Sequence, residues 1–165
     1  MNNDIFIDNC YACQLNNPLK DEQKDFIEWL RESGFLVVSQ KWIVEVMRSN
    51  MGAASARNIS VIVDLLTRNK RLIIISKNDL ASFTLPRILR SNKEDWVHVR
   101  TVGMSSRKLA VTVDEKLQQD ISKSVKNSSV AACVSKIKYK DHSETIDGEI
   151  SAQQMAASEP ATPAG

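Results

Sequence analysis

At 165 residues and 42% hydrophobic content, the chain has the material for one domain with a buried core. No apolar run reaches the roughly 18 residues of a membrane span, and Met1-Asn2-Asn3-Asp4 lacks the basic-then-apolar layout of a secretory leader. Three cysteines (Cys10, Cys13, Cys133) are an odd count for a disulfide framework, so a reducing, cytoplasmic location is expected. The net charge of +2 hides an asymmetry: all 22 Lys and Arg lie within residues 1–140 beside 15 acids, while residues 141–165 hold five acids and no Lys or Arg. A basic body of this kind suits a polyanionic partner.

Ile5-Phe6-Ile7 is an unbroken apolar run and predicts a strand buried on both faces, at the centre of a parallel sheet. Leu15-Asn16-Asn17-Pro18 reads as loop. A helix over Lys20–Ser33 places Phe26, Ile27 and Leu30 on one face and stops at Gly34. Phe35–Val38 is a second buried strand, and Ser39 caps a helix carrying Trp42, Ile43, Val46 and Met47 at helical spacing. Ser55 opens a third helix with Ile59, Ile62, Val63 and Leu66 inward, and Arg71–Ile75 is a third strand. Asn78 and Pro86 suggest two short helical turns running to Leu89. Asn92 begins a helix that runs through Val102 and is closed by Gly103. Leu109–Val113 is a fourth strand, Asp114 to about Lys123 a helix, and Val130–Val134 a fifth, edge strand. Strands alternating with helices predict a three-layer α/β/α sandwich around a mainly parallel sheet over residues 1–136. Residues 137–165, rich in Ser, Ala, Glu and Pro, read as an acidic, disordered tail.

Four acids stand out by position, and each has a plainer reading beside the chemical one. Asp8 ends the first strand, where a carboxylate also bonds turn amides. Glu45 lies in Ile43-Val44-Glu45-Val46-Met47, the most apolar part of its helix. Burying it costs several kcal/mol, of order 3–5, unless it is paired or bound to a cation; pairing with Lys41 or Arg48 is the plain alternative. Asp95 and Asp114 both occupy ordinary helix-cap positions. Together, the four fall at the ends of two strands and within two helices flanking one crevice, an oxygen-only set suited to a hard divalent cation.

With those residues in place, the chain resembles the PIN-domain ribonucleases, a metal-dependent family that includes many toxins of toxin–antitoxin pairs. The likeness runs over residues 4–123: a strand ending in Asp in Phe6-Ile7-Asp8-Asn9-Cys10, and Glu45 in the helix after the second strand. Asp95-Trp96-Val97-His98-Val99 follows, and then a Thr-x-Asp in Leu109-Ala110-Val111-Thr112-Val113-Asp114. The resemblance implies that Asp8, Glu45, Asp95 and Asp114 hold Mg²⁺ or Mn²⁺, with Thr112 supporting the site. It also implies endoribonuclease activity, an RNA substrate, a cognate antitoxin protein and a homodimer. Two positions depart from the pattern. Cys10 stands where many relatives have Asn, Ser or Thr, and Lys116 where many have a further acid. The second departure implies one tight metal with a weaker partner. The runner-up expectation is a catalytically inactive PIN-like module that binds RNA or protein; a flap-type DNA nuclease is a third, disfavoured because this sequence has no long insertion for threading a flap.

Lys41, Lys77, Arg107, Lys108 and Lys116 are the bases expected near the crevice and able to contact RNA backbone. Cys10-Tyr11-Ala12-Cys13, with Cys133 and His142, is a weak zinc candidate, lacking a second close pair. His98 reads as a structural residue rather than a base, and Trp29, Trp42 and Trp96 as core or protein contacts. The acidic tail, set against a basic body, would compete with nucleic acid for the crevice if it folds back; a spacer is the default.

Overall fold

The structure is a computed structural model that describes residues 3–18, 20–50 and 57–140. Strand β1 (Asp4–Ile7) is followed by helices α1 (Asn9–Gln14) and α2 (Asp21–Glu32), and β2 (Phe35–Ser39) by α3 (Gln40–Asn50) and α4 (Arg57–Arg68). Next come β3 (Leu72–Ile75), α5 (Lys77–Ser82), a 3-10 turn at Lys93–Asp95 and α6 (Trp96–Met104). The described chain ends with β4 (Leu109–Val111), α7 (Glu115–Ser124), β5 (Ser129–Ala131) and a second 3-10 turn at Val134–Lys136.

All five strands are parallel, in the order β3-β2-β1-β4-β5. The expected central place of the first strand follows from its composition. Every residue of β1 is buried, and no polar side chain interrupts Ile5, Phe6 and Ile7. From β1 the chain steps to β2 and β3 on one side, then crosses back to β4 and β5 on the other. Right-handed crossovers with opposite directions of travel put their helices on opposite faces of the sheet. The packing agrees: α1 to α4 contact one another as one group, and α5, α6 and α7 as a second. The reversal of direction falls between β1 and β4, where parallel α/β sheets open a crevice beyond the carboxyl ends of the strands.

Several sequence expectations need correction. A helix not foreseen, α1, starts at Asn9 because the Asp8 side chain caps it, accepting from Asn9 N–H at 2.7 Å. Gly103 does not close the helix begun near Asn92, for α6 runs on to Met104. A Cβ at that position would run into the Phe83 ring, so glycine there serves close packing. Gly34 has the same role beneath Trp29, whose ring carbons would lie 2.6 Å from an added Cβ. Residues 83–91 around Pro86 form no helical turn. The fourth and fifth strands are shorter than expected, and Val134 belongs to a 3-10 turn. Ile137 and Tyr139 pack into the core, with Tyr139 edge-on to Phe26 and Trp29, so the packed body passes residue 136. The proposed opening of a helix at Ser55 and the acidic tail (141–165) lie outside the described residues. No helix among the described residues is long and apolar enough to cross a membrane.

Candidate functional site

Asp8 and Asp114 follow β1 and β4, the two strands that bracket the reversal of chain direction. Each is a helix N-cap, and so each has its plain structural role: Asp8 caps α1, and Asp114 caps α7 by accepting from Lys116 N–H at 2.8 Å and Leu117 N–H at 3.2 Å. Thr112 joins them. Its fully buried hydroxyl donates to Asp8 Oδ2 at 3.0 Å and accepts the Asp114 backbone N–H at 3.1 Å. One side chain therefore fixes the carboxylate after the central strand and the backbone of the acid after its neighbour. The Thr-x-Asp spacing makes this possible, because Thr112 at the end of β4 points inward and Asp114 starts the next helix. Trp42 secures the same edge from α3, donating its buried Nε1–H to Ile7 O at 2.7 Å.

Glu45 and Asp95 approach from the two helix layers. Glu45 on α3 is partly buried and engaged on both oxygens, with Lys41 Nζ 3.3 Å from Oε1 and His98 Nε2 3.4 Å from Oε2. The His98 contact is the main cause that holds Glu45 below its ordinary carboxylate pKa; burial opposes it, and the charges of His98 and Lys41 assist. Asp95 precedes α6, is half-buried, and makes no capping hydrogen bond. Burial pushes its pKa up. The charges of His98 and Lys41 pull it down, and those of Asp114 and Asp8 push it up again. Asp95 thus feels the charge of both strand-end acids. Cys10 feels the same acids: burial, then Asp8, Cys13, Asp114 and Asp95, raise its thiol pKa. That disfavours the reactive thiolate.

In chemical kind, carboxylates suit a hard cation, and half-buried Asp95, which makes no cap bond and feels the charges of Asp114 and Asp8, is the kind of group a cation would relieve. Among the described residues, however, no three His, Cys, Asp or Glu side chains are gathered closely enough to hold an ion as they stand. The zinc alternative is no better placed. Cys10 and Cys13 are exposed on α1, Cys133 lies beside Ser135, and His142 is outside the described residues.

The candidate bases divide. Lys41 is at the edge, bonded to the Glu94 carbonyl as well as Glu45. Lys77 starts α5 after β3, and Lys116 lies in the first turn of α7, so both are at the carboxyl end of the parallel sheet. Arg107 and Lys108 are corrections. Both precede β4, which puts them at the amino end, away from the crevice. Arg107 is bonded there to the carbonyls of Tyr139 and Lys138, and Lys108 to those of Ser105 and Gly103. Sequence proximity to Thr112 concealed this, since a three-residue strand separates the two ends of the sheet.

Two residues have a place here beyond the one their sequence context suggests. Arg48, a pairing candidate for Glu45, lines a groove along α3 with Gln40, Lys41, Val44, Glu45 and Glu94. His98 reads as structural, although its spacing of three from Asp95 in a helix is a signal that both share one face.

No family model matches the chain, and no curated protein matches it. Its fold is similar to that in the crystal structure of VapBC2 from Rickettsia felis bound to a DNA fragment from their promoter. The identity is 11%, covering 78% of this chain and 97% of that one, with a TM-score of 0.48.

Proposed function

We propose that the protein is a metal-dependent endoribonuclease whose centre is Asp8, Glu45, Asp95 and Asp114. The observation that supports it best is the Thr112 bridge, which ties Asp8 and Asp114 together at the point where the sheet reverses direction. Mg²⁺ or Mn²⁺ would be held by the four carboxylates, drawn closer than they stand alone. Bound there, the ion supplies the Lewis acidity that phosphodiester hydrolysis needs at neutral pH. The chain's own residues do the rest. Thr112 keeps Asp8 from turning away, and the α7 cap holds Asp114 through its Oδ1, which accepts both cap bonds. Lys41, Lys77 and Lys116, with Arg48 along the α3 groove, offer positive charge to the RNA backbone. RNA as the substrate, a cognate antitoxin protein and a homodimer come from the family resemblance.

Asp8→Asn, Glu45→Gln, Asp95→Asn and Asp114→Asn are each expected to lower Mg²⁺-dependent RNA cleavage about 10²-fold or more, the scale of losing several kcal/mol of charge stabilisation. Cleavage should also stop on chelation. Full activity in any two of these variants would remove the site.

A second reading has its own observation in favour. Glu45 is already paired on both oxygens, and among the described residues no three donors are gathered to hold an ion. Both features suit a catalytically inactive module that binds RNA or protein. Thermal unfolding with millimolar Mn²⁺ separates the two, because a ligand bound only by the native state raises its midpoint. An unmoved midpoint, with no cleavage, selects the module.

A further inference from the structure

We propose that His98 is a positioning residue for Glu45, its Nε2–H holding one carboxylate oxygen while Lys41 holds the other, so that the carboxylate is aimed before any ligand arrives. This rests on the four-carboxylate centre proposed above and adds a residue that the acids alone do not suggest.

The tautomer follows from packing. His98 is 2% exposed, and its Nδ1 is buried with no hydrogen-bond partner among the described residues. Glu45 Oε2, 3.4 Å from Nε2, can only accept, so Nε2 carries the proton that faces it, whereas a proton confined to Nδ1 would be buried unpaired. The ring cannot swing to another partner easily, because it lies against Phe6 of the central strand at a centroid distance of 5.4 Å. Position in the chain gives the contact its use. His98 is three residues beyond Asp95, one helical turn along, while Glu45 sits on the opposite helix α3. A second strap joins the same two elements, since Lys41 Nζ bonds both Glu45 and the Glu94 carbonyl beside Asp95. The two acids that reach the edge from helices are therefore held in register by His98 and Lys41, much as Thr112 holds the two that follow strands. Remove the imidazole, and Glu45 keeps only Lys41, with its side chain already 27% exposed and free to turn to solvent.

The full chain carries the test. Mn²⁺ affinity is measured by titration on the wild type, His98→Phe, which keeps a ring against Phe6 and loses the donor, and His98→Gln, which restores an N–H near the Nε2 position. The Phe variant is expected to bind Mn²⁺ about 10–100-fold more weakly and the Gln variant to recover most of that loss. Metal-free unfolding midpoints of the two variants should agree, so that folding does not account for the difference. Equal affinity in wild type and the Phe variant, or a Gln variant no better than Phe, overturns the role. Imidazole ¹⁵N NMR on the metal-free protein gives a reading that needs neither variant to fold. An Nε2–H tautomer whose proton shift moves in Glu45→Gln supports the contact; an Nδ1–H tautomer, or an unmoved shift, overturns it. Wild type that binds no Mn²⁺ overturns the metal centre instead, and the NMR result then decides the His98–Glu45 contact by itself.

Discussion

Removing the Thr112 hydroxyl leaves the 8%-exposed Asp8 carboxylate and the Asp114 N–H each short of a partner. Thr112→Val keeps the branched shape and is expected to cost about 1–3 kcal/mol, whereas Thr112→Ser should cost much less. Urea unfolding of both variants checks this. Asp120 is a carboxylate the sequence reading passed over, because nothing local marks it. It is 2% exposed on α7 and accepts from Arg90 N–H, Ser91 N–H and the Ser91 hydroxyl, at 2.6–3.0 Å. These bonds pin the end of the irregular stretch, at Arg90 and Ser91, to α7. Burial pushes the Asp120 pKa up, but the Arg90 and Ser91 donors outweigh it, and the net shift is downward. A depressed folded pKa contributes stability above the unfolded value of about 3.9 and loses it as pH falls through the folded value. Asp120→Ala should therefore destabilise by about 1–3 kcal/mol at pH 7. The gap from wild type in urea midpoint is expected to narrow as pH drops below about 4, and a gap that widens there would contradict the assignment.

Among the elements, those with strong apolar patterns were legible and those made by distant contacts were not. The runs Ile5–Ile7 and Phe35–Val38 announced buried parallel strands, and they are β1 and β2. Asp8 and Asp114 could be placed at the carboxyl edge because strand ends and helix starts fix where a residue lies along a parallel sheet. Helix α1 is hidden in the sequence: Cys10-Tyr11-Ala12-Cys13 stands out as a cysteine pair, and the plain reading of Asp8 extends to turn amides rather than to a helix start. Gly103 misled for a related reason, since glycine marks both helix ends and close packing, and only the Phe83 ring tells which. Gly103→Ala is expected to cost about 1–3 kcal/mol through overpacking, although alanine favours helix by nearly 1 kcal/mol. A stabilised variant in thermal unfolding would show that Phe83 moves aside freely. The double role of Asp114 also dictates the choice of variant. Asn caps helices about as well as Asp, so Asp114→Asn tests chemistry without removing the α7 cap.

Across the whole molecule, the five candidate bases are divided between the two ends of the sheet. Lys41, Lys77 and Lys116 stand at the carboxyl end, while Arg107 and Lys108 are bonded into the amino end. Phosphate contacts from Lys41, Lys77, Lys116 and Arg48 on single-stranded RNA would give a slope of about −3 for log affinity against log salt, and Lys77→Ala should make it shallower by about 0.7. Arg107→Ala should leave the slope unchanged while lowering stability, because its guanidinium secures the carbonyls of Lys138 and Tyr139. Filter binding across a salt series measures both. The central pair β1 and β4 has one more effect, felt while the chain is being made. Asp8 leaves the ribosome 104 residues ahead of its Thr112 partner. Both flanking strands of β1 are needed to fill the sheet, and β4 follows β2 and β3 in the chain. A nascent chain can thus pair β1 with β2 but cannot complete the edge until β4 has emerged, so any chemistry of that edge waits for long-range closure.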